Sequence, residues 1–252
     1  MSVPRETQDV AAQLFGIGMG SASAYAEALS TTGVERGLLG PREVPRLWER
    51  HLLNCVVLKE LIPSGVELAD VGSGAGLPGL PLAIARPDLT VYLIEPLLRR
   101  VVWLQEVVGM LGLTNVEIIR GRANVVAEAG QDFDVVTARA VAPLPGLLTL
   151  CLPLVRPGGE FLAMKGDSAS EELTQAQSLL EGLGAAHWSV VRCGEGIVET
   201  PTTVVRVVAG QRSGGSSRSG KGTRRPQKNS QKRSAAKKSR SAPNGRGRNA
   251  QR

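Results

Sequence analysis

The spacing of hydrophobic and polar positions changes at about residue 64. Before it, apolar residues recur every three or four positions in three segments, which predicts helices. These segments are TQDVAAQLFG, ASAYAEALSTTG and VPRLWERHLLNCVVLKELI. After Pro63 and Gly65, short runs rich in valine, isoleucine and leucine alternate with helix-type segments. The pattern predicts an N-terminal helical cap over residues 1–63 and an α/β domain over residues 64–209.

The α/β region has the order expected of a parallel sheet with helices on both faces. Its predicted strands are Glu67–Val71, Thr90–Glu95, Val116–Arg120, Phe133–Ala138 and Glu160–Lys165. The predicted helices are Gly79–Ala85, Leu97–Leu111, a short segment near Ala123–Ala129, Leu144–Val155 and Ser170–Leu183. HWSVVRC and TTVVRVVAG then predict a closing pair of strands without a helix between them. This order predicts a doubly wound, Rossmann-like sheet.

Charge is distributed unevenly along the chain. Residues 210–252 contain 14 Lys and Arg and no Asp or Glu, while the remainder holds 16 basic against 23 acidic residues. The tail has no aromatic or large aliphatic residue, so it predicts disorder. It is either a solubilising extension or a flexible arm that binds RNA phosphates with salt-sensitive affinity. Fourteen unopposed positive charges favour the arm.

Cysteine usage and hydropathy exclude several classes of protein. Cys55, Cys151 and Cys193 lie far apart and form no CxxC pair, and no histidine stands near them at ligand spacing. This argues for a reducing compartment and against a metal site. The chain opens with no basic-then-apolar leader, and LPGLLTLCLPLV, its longest apolar stretch, is too short to cross a bilayer. We expect a cytoplasmic protein without a metal.

The segment LADVGSGAGLPGLPLA, Leu68–Ala83, places four glycines between a predicted strand and a predicted helix. Gly74, Gly76 and Gly79 match G-x-G-x-x-G, and Glu95 ends the next predicted strand. Glycines let a ligand approach the backbone, and the amide groups of a helix N-terminus can bind it. A carboxylate at the second strand end can bind the ribose diol of NAD or of S-adenosylmethionine, so the fingerprint leaves both open. A purely structural glycine turn is the minor alternative.

The rest of the chain favours S-adenosylmethionine. It contains no Tyr-x-x-x-Lys pair and no second nucleotide-binding half, and His51 and His187 lie outside the predicted sheet. Asp70 precedes the first glycine, where it can meet the ammonium group of a methionine-type ligand, and RPGGEFLAMKG places a Pro-Gly-Gly turn before the fifth strand. The alternative for Asp70 and Glu95 is that both are solvated loop acids.

Residues 45–208 resemble the bacterial methyltransferases that modify N7 of a guanine in small-subunit rRNA, the RNA small-subunit methyltransferase G family, formerly glucose-inhibited division protein B. The resemblance rests on ERHLLN, LADVGSGAGLPGLPLAI, LIEPLLRRVVWLQEV, TARAVAPL and GGEFLAMKG. It implies a class I S-adenosylmethionine-dependent methyltransferase fold. It also implies 16S rRNA or the small ribosomal subunit as partner, with the guanine at nucleotide 527 as the family's target.

The resemblance also implies a set of pocket residues. Gly72 and Leu77 of the first loop, Ala123 and Asn124 after the third strand and Arg139 after the fourth correspond to family positions that line the S-adenosylmethionine pocket. With Asp70, Gly74 and Glu95 they complete the candidate cofactor set. The chain departs from the family at Asn124, where an acidic residue is usual, and at Asn54-Cys55, where Asp-Ser is usual. TTGVERGLLGPREV replaces the usual N-terminal segment.

No residue is predicted as a certain catalytic group, because N7 of guanine already offers an unprotonated lone pair and the reaction needs mainly positioning. Three residues are candidates for positioning. Arg139 could pair with the ligand carboxylate or the RNA, or form a surface salt bridge of little value. Lys165 could meet a phosphate or the guanine edge. For His51, spacing favours a satisfied histidine on a helix surface, whereas the resemblance favours a role toward RNA or in ordering Asp70.

Support for RNA binding is mixed at the level of sequence. The chain has eight aromatic residues, several of which must be core, and among them Trp103 is expected to pack with Val101, Val102, Leu104 and Val107. Few are left to stack on bases. Attraction of RNA therefore requires the tail or a local basic patch, which we predict from Arg46, Arg50, Arg99, Arg100, Arg122 and Arg139.

Overall fold

The N-terminal region is helical but irregular. The computed structural model describes residues 5–139 and 142–211. Helices α1 (Arg5–Phe15), α2 (Met19–Ala28) and the short α3 (Asn54–Val56) are joined by 3-10 and π-helical segments. The 3-10 segments are Gly16–Gly18, Pro41–Arg46 and Val57–Leu61, and the π-helical ones are Leu29–Gly33 and Leu47–Leu53. The segment predicted as one helix from Val44 to Ile62 is therefore a succession of four short segments of three helical types.

The α/β region forms one seven-stranded sheet in the order β3-β2-β1-β4-β5-β7-β6. Its strands are β1 (Glu67–Val71), β2 (Thr90–Glu95), β3 (Val116–Arg120), β4 (Phe133–Arg139), β5 (Val155–Lys165), β6 (Ala185–Cys193) and β7 (Thr202–Ala209). The first five are parallel, and β7 lies antiparallel between β5 and β6. The doubly wound sheet and its closing strand pair are thus confirmed, and the chain reverses its winding between β1 and β4.

The helices of this region follow the predicted order with two differences. They are α4 (Gly79–Ala85), α5 (Leu98–Leu111), α6 (Ala123–Glu128), α7 (Leu144–Cys151), α8 (Ala169–Gln175) and α9 (Gln177–Gly182). The helix predicted to reach Val155 ends at Cys151, because Pro153 lacks an amide proton and its ring clashes with a preceding turn. A 3-10 turn follows, and β5 begins at Val155 rather than at Glu160. The helix predicted over Ser170–Leu183 is divided at Ala176.

Alternation along the strands builds a core on each face of the sheet. Leu68 packs with the N-terminal helices, α4 and α5, whereas its neighbour Ala69 packs with α7 and α8 on the opposite face. Successive strand side chains point to opposite faces, so Asp70 lies on the face that the N-terminal helices cover. The N-terminal region therefore shares a core with the sheet and lies over the carboxyl end of β1.

The helix α5 packs on the sheet largely as predicted. Trp103 is 1% exposed, and Val101, Leu104 and Val107 are buried with it. The exception is Val102, which is 39% exposed and was wrongly predicted as core. In an α-helix the position after a buried residue turns by about 100°, which carries Val102 to the solvent face.

Several expectations about absent features concern only the described part of the chain. There, all three cysteines are buried and unpaired. No helix within residues 5–139 and 142–211 is long and apolar enough to cross a membrane. The same residues contain no group of three or more His, Cys, Asp or Glu that could hold a metal ion. The basic tail predicted to be disordered lies outside the described residues from residue 212 onward.

Candidate active site

The glycine loop between β1 and α4 is held by three other elements. Gly72 donates its amide hydrogen to the Ile94 carbonyl of β2 at 2.9 Å. The carbonyl of Ala75 accepts hydrogen bonds from the Tyr25 hydroxyl of α2 at 2.9 Å and from Trp103 Nε1 of α5 at 3.1 Å. The loop is therefore fixed by side chains from both the helical cap and the sheet domain.

The glycines of the loop serve different purposes. A Cβ at Gly79 would lie 2.3 Å from Leu93 Cδ2 and 2.8 Å from Asp70 Oδ2, so this glycine permits close packing of α4 on the sheet. Gly76 has φ +103°, and a Cβ there would meet Leu80 at 2.4 Å. At Gly74 the nearest atom to a Cβ is 3.7 Å away. Among these three glycines, only Gly74 would place a Cβ in ordinary van der Waals contact without a clash.

Asp70 is fully buried beneath the glycine loop. Its Oδ2 accepts the Gly79 amide at 2.9 Å, whereas Oδ1 has no hydrogen-bond partner among the described residues. Burial raises the pKa of Asp70 to about 7, although the Gly79 amide, the Ser73 hydroxyl and the charge of Arg139 act in the opposite direction. The interpretation of Asp70 as a solvated loop acid is therefore wrong. A buried oxygen without a donor is a strong attractor for a cation.

Glu95, the last residue of β2, is also buried, at 1% exposure. It links the glycine loop after β1 to the segment that follows β2. Its Oε2 accepts the Gly74 amide at 3.0 Å, and Oε1 accepts the Leu97 amide at 2.9 Å. Arg100 of α5 lies 3.6 Å from Oε2. A carboxylate has about four lone-pair sites, so two remain beyond these amides. Glu95 is therefore an organised acceptor and not a solvated loop acid.

The remaining predicted pocket residues lie at the carboxyl ends of β1 and β3. Leu77 is half-buried and donates its amide to the Ser73 carbonyl at 3.1 Å. Ala123 is the buried first residue of α6, and Asn124, the second, is exposed. The strand order brings β1, β2 and β3 side by side, so Gly72, Leu77, Glu95, Ala123 and Asn124 share one edge of the sheet. Their assignment to a cofactor remains a prediction.

Arg139 ends β4 and reaches the helical cap. Its Nη1 lies 3.1 Å from Cys55 Sγ, and its Nη2 lies 3.4 Å from the Arg50 carbonyl and 2.7 Å from His51 Nδ1. No carboxylate pairs with Arg139 within the described part of the chain. The surface salt bridge considered for it is therefore absent there, and Arg139 instead connects the sheet edge to the cap.

His51 is buried, at 9% exposure, so its expected place on a helix surface was wrong. Because an arginine can only donate, Nδ1 accepts from Arg139, and Nε2 therefore donates to Glu43 Oε2 at 2.9 Å. Burial, followed by the charge of Arg139, lowers the pKa of His51. The neutral tautomer is thus fixed by its two partners. Among the described residues, no hydrogen bond joins His51 to Asp70.

Lys165 ends β5 and is engaged by a helix. Its Nζ lies 2.7 Å from Glu172 Oε2, and the Lys165 side chain is 12% exposed. Glu172 also accepts the Leu144 amide and the Ser168 hydroxyl. The hydrogen bond from Lys165 lowers the pKa of Glu172. Lys165 thus stabilises the packing of α8, and its predicted contact with RNA remains a prediction.

Three residues that the sequence did not identify complete the site. Tyr25 anchors the loop, and Glu43 and Cys55 hold the His51–Arg139 pair. These three residues belong to no sequence motif. Tyr25 and Cys55 each lie more than 40 positions from the residue that they contact, whereas Glu43 lies nearer to His51 in the sequence. Only Cys55 could have been singled out from the sequence, because it stands where the family usually has serine.

Comparison with known proteins agrees with this arrangement. The family model described as rRNA small subunit methyltransferase G matches residues 19–200. Proteins of that name are 58% identical over 205 residues in Streptomyces avermitilis, covering 81% of this chain and 86% of the relative. In Streptomyces coelicolor the identity is 56% over 213 residues, covering 84% and 87%. In Frankia casuarinae it is 51% over 224 residues, covering 86% and 83%. The chain therefore belongs to the rRNA small subunit methyltransferase G family and is an rRNA methyltransferase.

Proposed function

We propose that this protein transfers a methyl group from S-adenosylmethionine to N7 of a guanine in 16S rRNA, the guanine at nucleotide 527 being the family's target. The observation that carries the proposal is the buried Asp70 Oδ1, which finds no hydrogen-bond partner among residues 5–139 and 142–211. A ligand that brings an ammonium group to this loop supplies the missing donor. NAD has no such ammonium group, so Asp70 favours S-adenosylmethionine over the dinucleotide.

The residues present fit this methyl donor. Asp70 would hold its ammonium group, and the two open acceptor sites of Glu95 would hold its ribose diol. Leu77, Ala123 and Asn124 would form the walls around the adenine, with Gly72 and Arg139 at the end that holds the methionine part. When bound, S-adenosylmethionine supplies an electrophilic methyl group on a sulfonium sulfur.

The chain then needs to position the RNA rather than remove a proton. N7 of guanine carries a free lone pair, and holding two reactants in line can lower a barrier by about 7–11 kcal/mol. Arg139 is held by His51 and Cys55, and its charge lowers the pKa of Asp70, so we propose it as a positioning residue. Neutral His51 donates to Glu43 and accepts from Arg139, so it orients Arg139 and takes no proton from RNA.

Charge at the sheet edge supports an RNA substrate. Six arginines lie in the cap or at the carboxyl ends of β2, β3 and β4. All six are exposed or half-buried, which supports the proposed basic patch. They are Arg46, Arg50, Arg99, Arg100, Arg122 and Arg139. None of the eight aromatic side chains is exposed. Recognition at this face therefore depends on charge and hydrogen bonds more than on open stacking surfaces.

Two other functions remain for the experiment to separate: methyl transfer to a protein or small molecule, and RNA binding without turnover. Purified protein is incubated with S-adenosylmethionine labelled in its methyl group and with total ribosomal RNA, small subunits or a protein extract. We expect label in small-subunit RNA and none in large-subunit RNA. Label confined to protein would support the first alternative, and RNA binding without label the second.

For the whole chain we propose three parts: the cap over 1–63, the methyltransferase domain over 64–209 and the basic arm over 210–252. An rRNA methyltransferase meets its substrate where ribosomes assemble, so we propose a cytoplasmic location. The arm carries 14 positive charges and no negative charge, whereas the rest of the chain is net negative. We propose that it adds RNA affinity of low sequence specificity without selecting the methylated base.

Deleting residues 211–252 is expected to weaken binding to small-subunit RNA most strongly at low salt and to flatten the dependence of affinity on salt. Phosphate contacts release counterions, so their loss reduces the salt slope. Binding is measured by filter retention across a salt series, with S-adenosylmethionine affinity as the control for an intact fold. An unchanged affinity and an unchanged slope would show that the arm does not contact RNA.

A further inference from the structure

A cleft with charged residues in its walls lies outside the glycine loop, between the cap and the β6–β7 connection. It has a volume of about 360 Å³, within the range of small-molecule sites. We call it the helix–loop cleft. It is lined by Arg46, Glu49, Arg50, Leu53, Asn54, Val198, Glu199 and Thr200. Its walls therefore present two cationic and two anionic side chains to the same space.

The walls of the helix–loop cleft are fixed at both ends of the β6–β7 connection. Gly194, where the connection begins, donates its amide to the Glu60 carboxylate at 3.1 Å. Thr202, where it ends, donates its hydroxyl to the Asn54 carbonyl at 2.9 Å. These bonds hold residues 195–201 against the cap. The cleft is thus a built feature of the fold.

The cleft opens at the same edge of the sheet as the candidate active site. Arg139 Nη2 lies 3.4 Å from the carbonyl of Arg50, which lines the cleft. Thr203, just beyond the connection, pairs with Lys165 at the carboxyl end of β5. The helix–loop cleft is therefore joined to Arg139 through the backbone of Arg50, one of its lining residues.

One wall of the cleft is an unusual element. Glu49, Arg50 and Leu53 belong to the π-helical segment Leu47–Leu53. π-helical turns are rare and occur frequently at functional sites. This backbone irregularity is independent of the charges in the cleft, and it identifies the same residues.

The charged side chains of the cleft differ in the hydrogen bonds and ion pairs that they already make. Glu49 Oε1 accepts the Thr7 hydroxyl, and Arg50 Nη1 lies 3.6 Å from Glu43 with its side chain 55% exposed. Glu199 makes no hydrogen bond or ion pair with any residue in 5–139 or 142–211 and is exposed. A carboxylate has two acceptor oxygens, so Glu199 offers both of its oxygens to a ligand, whereas Glu49 already uses one.

We propose that the helix–loop cleft receives the target guanosine of the RNA and that Glu199 selects guanine. Guanine presents two adjacent donors, N1–H and N2–H, that match the two oxygens of one carboxylate. This edge lies on the opposite side of the purine from N7, so binding it leaves N7 facing away from Glu199. Arg46 and Arg50 bind the flanking phosphates, which suits the guanidinium group. The inference rests on the proposed guanine-N7 methyl transfer.

The test combines a change in the protein with a change in the base. Glu199→Gln removes the charge and one acceptor. Glu195→Gln on the same connection is the matched control, because Glu195 is exposed and its ion pair within the described part of the chain is with Arg192, at 3.5 Å. The RNA is 16S rRNA assembled by ligation with guanine or hypoxanthine at the target position. Hypoxanthine lacks the N2 amino group and keeps N7. Methyl transfer gives kcat/KM, and calorimetry gives the affinity for S-adenosylmethionine.

With guanine RNA, Glu199→Gln is expected to lower kcat/KM by about tenfold to a hundredfold, the value of one bidentate base contact. Hypoxanthine is expected to slow the wild type by a similar factor and the variant by little more. The affinity of Glu199→Gln for S-adenosylmethionine is expected to equal that of the wild type. The kcat/KM of Glu195→Gln is also expected to equal the wild-type value. Transfer by Glu199→Gln at the wild-type rate, or fully additive losses, would overturn the inference. Absence of transfer by the wild type would instead overturn the proposed function on which it rests.

Discussion

Asp70→Asn is expected to weaken S-adenosylmethionine binding by about tenfold to a hundredfold, because a hydrogen bond to a charged group contributes about 1.5–3 kcal/mol. Asparagine can still accept the Gly79 amide through its carbonyl oxygen. Its amide nitrogen, however, would replace an oxygen that has no donor, and it would face the ligand's ammonium group with hydrogens. Titration calorimetry with S-adenosylmethionine gives the two dissociation constants, and NAD is expected to bind neither protein.

The same carboxylate predicts how binding depends on pH. Burial raises the pKa of Asp70 to about 7, with Arg139 lowering it and Glu95 raising it. Between pH 7.5 and pH 6 the wild type must therefore lose a proton to bind a cation, so its affinity falls as the pH falls. Asp70→Asn has no such proton, so its affinity stays level across this range. A pH profile that is identical for both proteins would contradict the assignment of the titrating group.

Stability separates loss of binding from loss of folding in this variant. The folded state holds the Asp70 proton to about pH 7, whereas the ordinary pKa is 3.8. Between these values the folded state binds more protons, so the wild-type free energy of unfolding falls as the pH rises. Asp70→Asn removes this contribution, and at pH 8 it is expected to be no less stable than the wild type. A large loss of stability there would show that Asp70 serves the fold and not the ligand.

Gly76→Ala is expected to lower the free energy of unfolding by about 2–5 kcal/mol, because it combines backbone strain with overpacking. The φ angle of Gly76 is +103°, and an added Cβ would lie 2.4 Å from Leu80 Cδ1, 2.8 Å from Leu80 Cγ and 3.1 Å from Tyr25 Oη. Leu80 is fully buried and cannot move away freely. Denaturant unfolding of both proteins at one pH measures the difference.

Gly74→Ala is the matched control, because its φ is also positive, at +57°, but the nearest atoms to its Cβ are 3.7 and 3.9 Å away. Strain alone is then expected to cost about 1 kcal/mol. The difference between the two variants isolates the effect of packing beneath the loop. Equal losses of stability would mean that the Leu80 and Tyr25 contacts do not constrain this position.

The sheet could be predicted in detail because its signal is local. Each of the first three strands is a short apolar run bounded by turn residues, and β1, β2 and β3 have the predicted bounds. The limits of α7 and β5 were missed because Pro153 stops one helix early and lets the next strand begin before the Pro-Gly-Gly turn. The π-helical segments could not be predicted, since apolar residues at spacings of three and four look the same for every helical type.

The candidate site could likewise be predicted only in part from the sequence. Asp70 and Glu95 could be placed at strand ends, because parallel strands direct their carboxyl ends to one edge. Their burial could not be predicted, since it depends on how the glycine loop and the neighbouring helices fold over the strand ends. Likewise, the partners of Arg139 lie at least 84 positions earlier in the chain, where only tertiary packing brings them close. The family resemblance identified which residues belong to the candidate site, and the structure showed what those residues contact.

Methyl transfer to guanine N7 yields a product whose own chemistry can be used to detect it. N7-methylguanine makes RNA sensitive to borohydride reduction followed by aniline, which cleaves the chain at the modified base. Unmethylated small subunits are incubated with the protein and S-adenosylmethionine, and the 16S rRNA is then cleaved and mapped by primer extension. We predict one new break, at a single guanine, that requires both protein and methyl donor. Methyl label incorporated without any such break would contradict the account.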